Sequence, residues 1–167
     1  EEIRIMIRIF NEAWAENWGF IPMTEDEINH MAKQLKPIID PSMAFFAFVD
    51  NDPAAMSITL PNLNAAIHDL RGHLFPLGWA KLLWRIKKGL PSLRKCLMGI
   101  RKPYRGSKVG ALSVLMNVEA HRRALARGCY KTAELSWTLE DNERINKGIE
   151  FMGGRRYKTY RVYEKDL

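Results

Sequence analysis

Residues 100–111 constrain the fold of this chain more than any other segment. They follow the apolar run 97–100 and open into a long amphipathic segment from about 109 to 126. The order predicts a strand, a tight turn containing Gly106 and Gly110, and a helix start. Unpaired N–H groups at such a helix start point to one place, and the helix dipole adds positive charge there. The turn is therefore predicted to bind an anion as bulky as a phosphate, which glycine lets approach closely.

This turn resembles the pyrophosphate-binding signature of the GNAT superfamily, the acyl-CoA-dependent N-acyltransferases. That signature reads Arg or Gln, Gly, any residue, Gly or Ala, any residue, Gly or Ala, and Arg105, Gly106 and Gly110 match it. Lys108 departs from it, standing where the family usually has its middle small residue. Its side chain would either point away from the turn or pair with a phosphate. The alternative is an ordinary basic turn between a strand and a helix.

Hydrophobic periodicity and turn residues predict a mixed order of helices and strands. Thr24 and Glu27 form a capping-box start, and Asn62 is expected to cap a short helix. Helices are predicted over 1–18, from Thr24 to the prolines at 37 and 41, and over 63–70, 77–88, 109–126 and 143–152. Strands are predicted over 43–49, 54–60, 93–100, 132–139 and 155–164, with a hairpin turn at 50–53.

This order resembles the GNAT fold over nearly the whole chain. Residues 127–130 resemble the family's turn after the long helix, and residues 139–142 with 152–154 resemble its Asn-containing element near the end. The resemblance implies an α/β (α+β) fold with a mixed, mostly antiparallel central sheet flanked by helices. The first strand of that fold would precede Glu1. We therefore expect a single domain over residues 1–167 that is the C-terminal part of a longer protein.

Composition narrows the classes of function. The chain has 167 residues, 47% of them hydrophobic, and no apolar run approaches the ~18 residues that cross a bilayer, so no membrane insertion is expected. Cys96 and Cys129 lie in apolar surroundings, which is typical of buried thiols in a reducing, cytoplasmic compartment. No metal-ligand spacing is present in the sequence, so no metal is expected. The net charge of +7 suits an anionic cofactor, with an RNA-binding surface as an alternative.

The resemblance implies CoA as the cofactor, with acetyl-CoA the expected donor. The turn would bind its pyrophosphate, and the end of the preceding strand would pair with pantetheine through backbone groups. Asn142 matches a family position that hydrogen-bonds near the cofactor, although a helix cap explains it equally well. The expected cofactor-binding residues are Gly99, Ile100, Arg101, Arg105, Gly106, Ser107, Lys108, Val109, Gly110, Ala111 and Asn142.

An amine must lose a proton before it attacks a thioester, so a carboxylate or a chain of waters is needed near the acyl carbon. In the GNAT fold the cofactor lies where the two central strands diverge. Glu134, Glu140 and Asn142 are the catalytic candidates on the strand 132–139 and its continuation, and a surface salt bridge is the alternative for Glu134. Ile149 stands where the family often has a Tyr that protonates the leaving thiolate, so that acid is absent from its usual place.

Four residues at the end of the first helix are candidates for the acceptor pocket. Two Trp side chains beside an Asn suit a flat or cationic amine. The alternative is that Trp14 belongs to the core and Trp18 covers it. The candidate substrate-binding residues are Trp14, Asn17, Trp18 and Phe20.

Together these residues predict an N-acyltransferase that moves an acetyl or other acyl group to a small-molecule or peptide amine. A non-catalytic module of GNAT fold, which binds CoA or another protein, is the alternative that Lys108 and Ile149 favour. The sequence leaves open whether the protein forms a homodimer or has an N-terminal partner domain. A nucleic-acid partner is disfavoured because no RNA-binding motif accompanies the basic residues.

Overall fold

The computed structural model describes residues 2–17, 19–106 and 111–165. The chain divides into two compact units, Glu1–Ser136 and Trp137–Leu167. The first contains a sheet with its helices, and the second contains one helix with the segments around it. That the whole chain forms one domain stays a prediction.

The first unit is built on a four-stranded sheet in the order β1-β2-β3-β4. Its strands are β1 Ala44–Val49, β2 Asp52–Pro61, β3 Ser92–Ile100 and β4 Thr132–Leu135. The first two pairings are antiparallel, and β3 pairs with β4 in parallel. The predicted mixed, mostly antiparallel sheet flanked by helices is confirmed.

The hairpin between β1 and β2 is tighter than the sequence predicts. Asp50 and Asn51 have φ values of 50° and 66°, a pair of left-handed residues that suits a two-residue turn between twisted strands. β2 therefore begins at Asp52 instead of Ala54, and Asp52 carries its carboxylate at the start of a strand.

Six α-helices are present in the described residues, and local signals account for several of their ends. Thr24 Oγ1 accepts from the Glu27 N–H at 3.3 Å while Glu27 Oε2 accepts from the Thr24 N–H at 2.8 Å, which confirms the capping box. The cap at Asn62 is confirmed as well. The helices are α1 Glu2–Trp14, α2 Glu25–Leu35, α3 Leu63–Ile67, α4 Gly78–Lys88, α5 Leu112–Arg127 and α6 Glu143–Phe151.

Helices cover both faces of the sheet. On one face, Leu112 and Met116 of α5 form a buried cluster with Phe45 and Ala55. On the other face, Trp14 of α1 lies directly over Gly99 of β3, where an added Cβ would stand only 2.4 Å from the indole ring. β3 is therefore held between α1 and α5.

The largest differences between the predicted and the observed elements concern the first helix, β4 and the predicted last strand. The first helix ends at Trp14 instead of Trp18, and β4 ends at Leu135 instead of Leu139. The predicted strand 155–164 is wrong, because the described residues 155–165 are exposed and form no strand. Its alternating Tyr157, Thr159, Arg161 and Tyr163 have the period of a strand, but a strand also needs a neighbour to pair with. None of the described helices is long and apolar enough to span a bilayer.

Candidate functional site

β3 and β4 share only a short ladder. Ser92–Lys95 pairs with Thr132–Leu135, and the Ser136 N–H donates to the Lys95 carbonyl at 3.1 Å. β3 continues for five more residues to Ile100. No strand pairs with those five residues on the β4 side within the described parts of the chain, so β3 has an unpaired edge from Cys96 to Ile100.

The register with β2 determines which backbone groups face that edge. The Arg101 N–H donates to the Ala54 carbonyl at 2.9 Å, so these two residues are a hydrogen-bonded pair. Two positions earlier, Gly99 lies opposite Met56 in the same way. Backbone groups alternate along a strand, so those of Met98 and Ile100 point to the unpaired edge. Of the predicted pantetheine partners, Ile100 stays at the edge, while Gly99 and Arg101 turn their backbone groups toward β2.

Arg101 instead holds three elements together through its buried side chain. Its guanidinium donates to Glu12 of α1 and to Asp52 of β2, both at 2.6 Å, and is 6% exposed. The Tyr104 hydroxyl also donates to Asp52 at 2.6 Å. The Tyr104 and Arg101 hydrogen bonds hold the pKa of Asp52 below its ordinary value. This network fixes the end of β3 just before the predicted phosphate-binding turn.

The turn itself is described in part. Arg105 Nε donates to the Ile100 carbonyl at 2.8 Å, and a second guanidinium nitrogen donates to the Ala13 carbonyl of α1. Gly106 has a φ of 127°, and a Cβ built there meets nothing within 4 Å. Ala111 precedes α5 with no side-chain cap on the helix N-terminus. Ser107, Lys108, Val109 and Gly110 lie outside the described residues, so phosphate binding here stays a prediction.

An aromatic cluster of α1 lies beside the β3 edge. Trp14 stacks on Phe10 with ring centroids 4.8 Å apart, and Phe20 lies 5.7 Å from Phe10. Asn17 is exposed in the turn after α1, and Trp18 lies outside the described residues. Trp14 thus packs on the sheet as the core alternative expected, yet it is half-buried and adjoins the edge.

Glu134 lies at a polar cluster where β4 faces β3. Its carboxylate accepts from Asn62 Nδ2 at 3.1 Å and lies 3.9 Å from the Arg94 guanidinium. Arg94 Nε also donates to Ser136 Oγ at 3.3 Å. Asn62, Arg94 and Cys96 line a small open cleft of about 120 Å³, and burial raises the pKa of the Cys96 thiol. The carboxylate is held in place and remains 20% exposed, as a proton acceptor requires.

The other two catalytic candidates belong to the second unit. Glu140 pairs with Arg161 at 2.5 Å, and this hydrogen bond lowers the pKa of Glu140. Asn142 caps α6, its side-chain oxygen accepting from the Ile145 N–H at 3.4 Å. Both contacts are structural, and a catalytic or cofactor role for either residue stays a prediction.

Sequence reasoning missed Lys95, the last β3 residue paired with β4. Its Nζ donates to Asn117 Oδ1 of α5 at 2.5 Å, and burial lowers its pKa to about 8. Thr59 is its register partner, and the buried hydroxyls of Ser57 and Thr59 have no hydrogen-bond partner among the described residues. The one signal in the sequence was a lysine placed inside an otherwise strand-forming run.

Some known proteins are similar to this chain in sequence, and others are similar in fold alone. No family model matches the chain. Protein YghO of Escherichia coli K12 is 45% identical over 168 residues, covering 100% of this chain and 43% of that protein. The bacterial ceramide synthase of Caulobacter vibrioides is 44% identical over 168 residues, covering 100% of this chain and 44% of that protein. The chain thus spans less than half the length of these curated relatives.

Among solved structures, the chain is similar to the aminoglycoside N-acetyltransferase AAC(6')-Iy in complex with the bisubstrate analogue CoA-S-monomethyl-acetylneamine. The TM-score is 0.60 at 11% identity, and the match covers 99% of this chain and 92% of the other. At that identity the likeness concerns the fold.

Proposed function

Because this chain has the fold of the GNAT acetyltransferases, we propose that it is an acyl-CoA-dependent N-acyltransferase. The observation that carries the proposal is the unpaired β3 edge, which leads directly into the glycine-containing turn before α5. A ligand that combines an extended amide chain with a pyrophosphate fits this sequence of features. The edge offers backbone groups in strand register, and the turn offers a helix N-terminus.

CoA has those two parts. Backbone groups of Met98 and the Ile100 N–H would pair with pantetheine, while the Ile100 carbonyl is already taken by Arg105. The turn from Gly106 to Ala111, including Ser107, Lys108, Val109 and Gly110, would bind the pyrophosphate. When bound, CoA supplies an acyl group activated as a thioester. Acetyl-CoA is the simplest donor, and longer acyl-CoAs are alternatives that the experiment below compares.

We assign Glu134 the role of general base for the acceptor. An acceptor amine is mostly protonated near neutral pH, so it must lose a proton before its lone pair can attack the acyl carbon. Glu134 would take that proton while Asn62 and Arg94 hold the carboxylate in place. The amine nitrogen would then bond to the acyl carbon as the C–S bond of the thioester breaks, and the second proton that this nitrogen loses would pass to the departing CoA thiolate.

For the acceptor, we propose a long-chain amino alcohol. The support is the bacterial ceramide synthase of Caulobacter vibrioides, in which 44% of the length aligns with the whole of this chain at 44% identity. A ceramide is the amide of a fatty acid with such an amine. The aromatic side chains of Phe10, Trp14 and Phe20 beside the β3 edge offer an apolar surface suited to an alkyl chain.

A product assay tests the proposal. The full-length protein is incubated with acetyl-CoA or palmitoyl-CoA and with sphinganine, a small amine or a peptide, and amides are sought by mass spectrometry. We expect sphinganine to be acylated with release of one CoA thiol per amide. Acylation of the peptide or the small amine alone would refute the lipid acceptor and leave N-acyl transfer standing. CoA binding without any amide product would favour the non-catalytic module.

Glu134→Gln tests the general base. We expect kcat to fall by about 10²–10⁴-fold with little change in the affinity for CoA. Glutamine has nearly the same shape as glutamate, but its amide cannot accept the proton of the amine. Glu140→Gln is the competing candidate, and Glu150→Gln on the exposed face of α6 is the control. A kcat that falls in Glu140→Gln and not in Glu134→Gln would move the base to Glu140.

A further inference from the structure

The segment before and within α4 exposes six large apolar side chains. Phe75 is 83% exposed and Trp84 59%, which is unusual for aromatic rings in a water-soluble surface. We call residues 74–88 the α4 surface. Its exposed apolar residues are Leu74, Phe75, Leu77, Trp79, Leu83 and Trp84.

Half-buried and exposed apolar side chains of α4 lie next to each other. Leu82 and Ile86 are half-buried, and on a helical projection they adjoin the exposed Trp79 and Leu83. Trp79, Leu83 and Trp84 fall within about 140° of one another on a helical projection, and all three are exposed. Apolar packing inside the described residues therefore does not account for these three side chains.

Positive charge surrounds the exposed aromatic residues. α4 contains no acidic residue, and the Lys88 ammonium lies 4.9 Å from the centroid of the Trp84 ring. Arg85 and Lys81 both pair with Asp69, the single acidic residue of the sequence from 68 to 88. Lys87 and Lys88 follow at the end of the helix without an ion pair among the described residues.

We propose that the α4 surface docks on the surface of an anionic phospholipid bilayer. Exposed Trp rings with Lys beside them suit the headgroup region, where each ring is buried and each ammonium meets a phosphate. The helix has 11 residues, about 16 Å of length, so it would lie along the interface. The charge favours an anionic bilayer over a neutral one. This inference does not depend on the proposed acyl transfer, because vesicle binding is measured without substrates.

Vesicle flotation of the full-length protein tests the proposal. Vesicles of phosphatidylcholine alone are compared with vesicles containing phosphatidylglycerol, at low and high salt. The variant Trp79→Ser with Trp84→Ser removes two exposed rings. Leu115→Ser with Leu125→Ser is the matched control, since these α5 side chains are 59% and 63% exposed. A third variant, Lys87→Gln with Lys88→Gln, removes charge only.

We expect binding to anionic vesicles that weakens with salt and falls by at least about tenfold in the Trp variant. The Lys variant should lose affinity for anionic vesicles and not for neutral ones, and the α5 control should bind as the parent does. Circular dichroism should show all variants folded, since each changed side chain is exposed. Absence of binding to either vesicle, or an equal loss in the α5 control, would overturn the proposal. A homodimer that the Trp substitutions dissociate would also overturn it and assign the surface to a second copy.

Discussion

Among single residues, Gly99 sets how closely α1 approaches the unpaired β3 edge. A Cβ at this position would lie 2.4 Å and 2.8 Å from two indole carbons of Trp14 and 3.0 Å from the Ala13 Cβ. Gly99→Ala should therefore displace Trp14 and destabilise the fold by about 1–3 kcal/mol, the usual cost of overpacking. Urea unfolding measures this change in the free energy of unfolding.

Gly148→Ala is the matched control for that substitution. Gly148 lies inside α6, and a Cβ there meets nothing within 4 Å. Alanine should raise the free energy of unfolding by up to about 1 kcal/mol because of its helix propensity. A Gly99→Ala variant as stable as the parent would contradict this expectation, since α1 would then move away from β3 with no loss in the free energy of unfolding.

The buried Lys95 makes the stability of the fold depend on pH. Its pKa is about 8 in the folded chain and about 10.4 in an unfolded one, so the unfolded chain binds more protons between these values. The stability of the parent should therefore rise as pH increases from about 8 to 10.4. Below pH 8 the buried ammonium costs stability, so Lys95→Met should be about 1–3 kcal/mol more stable at pH 7 after loss of the Asn117 contact.

Thermal unfolding of Lys95→Met across pH 7–10.5 checks this expectation. The variant should lack the rise in Tm that the parent shows above pH 8. Lys33→Met, an exposed position on α2, should keep that rise. A less stable Lys95→Met at pH 7 would mean that the hydrogen bond to Asn117 outweighs the cost of burial.

Among elements, Asp40 secures the turn that brings β4 beside β3. Its carboxylate accepts from Arg127 at 2.9 Å and Tyr130 at 2.8 Å on the two sides of the α5–β4 turn, and from Ser42 in the short turn just before β1. Burial opposes its ionisation, but the hydrogen bonds of Ser42 and Tyr130 and the charge of Arg127 lower its pKa overall. The Glu134 position therefore depends on a carboxylate from another element.

Asp40→Asn should lower the free energy of unfolding by about 1–3 kcal/mol at pH 7. The pKa of Asp40 is lower in the folded chain than in the unfolded chain, where it is about 3.9, so its carboxylate stabilises the fold above that pH. This stabilisation is lost as the pH falls through the pKa of the folded chain. The difference between parent and variant should thus shrink below pH 4. Urea unfolding at pH 7 and pH 3 measures this difference in the free energy of unfolding. A difference that is the same at both pH values would contradict the claim that Asp40 stabilises the fold as a carboxylate.

Local signals predict elements well where the residues that decide them are close in sequence. Thr24 with Glu27 caps α2 and Asn62 caps α3, as the sequence predicts. The predicted strand 155–164 shows the opposite case, since alternation does not reveal whether a neighbouring strand exists. The early end of β4 has the same cause, because its ladder with β3 stops at Leu135.

At the scale of the whole molecule, the sequence predicts the fold correctly, whereas the site residues that it indicates stay predictions. Glycines 106 and 110, Arg105 and the order of elements point to the GNAT fold because they are a contiguous pattern. The ion pairs of Arg101 with Glu12 and Asp52 join residues 89 and 49 positions apart, and no local pattern predicts them. The same holds for Lys95 beside Asn117 and for the register that turns Met98 to the edge.

Calorimetric titration of CoA into the parent, Gly106→Asn and Gly106→Asp tests the central claim most directly. Both substitutions put a side chain of the same shape at a φ of 127°, and only the aspartate adds a negative charge. We predict that CoA binds the parent, that Gly106→Asn keeps part of the affinity, and that Gly106→Asp loses most of it because a carboxylate would face the pyrophosphate. Equal CoA affinity in the Asp and Asn variants, or no binding to the parent, would contradict CoA binding at this turn.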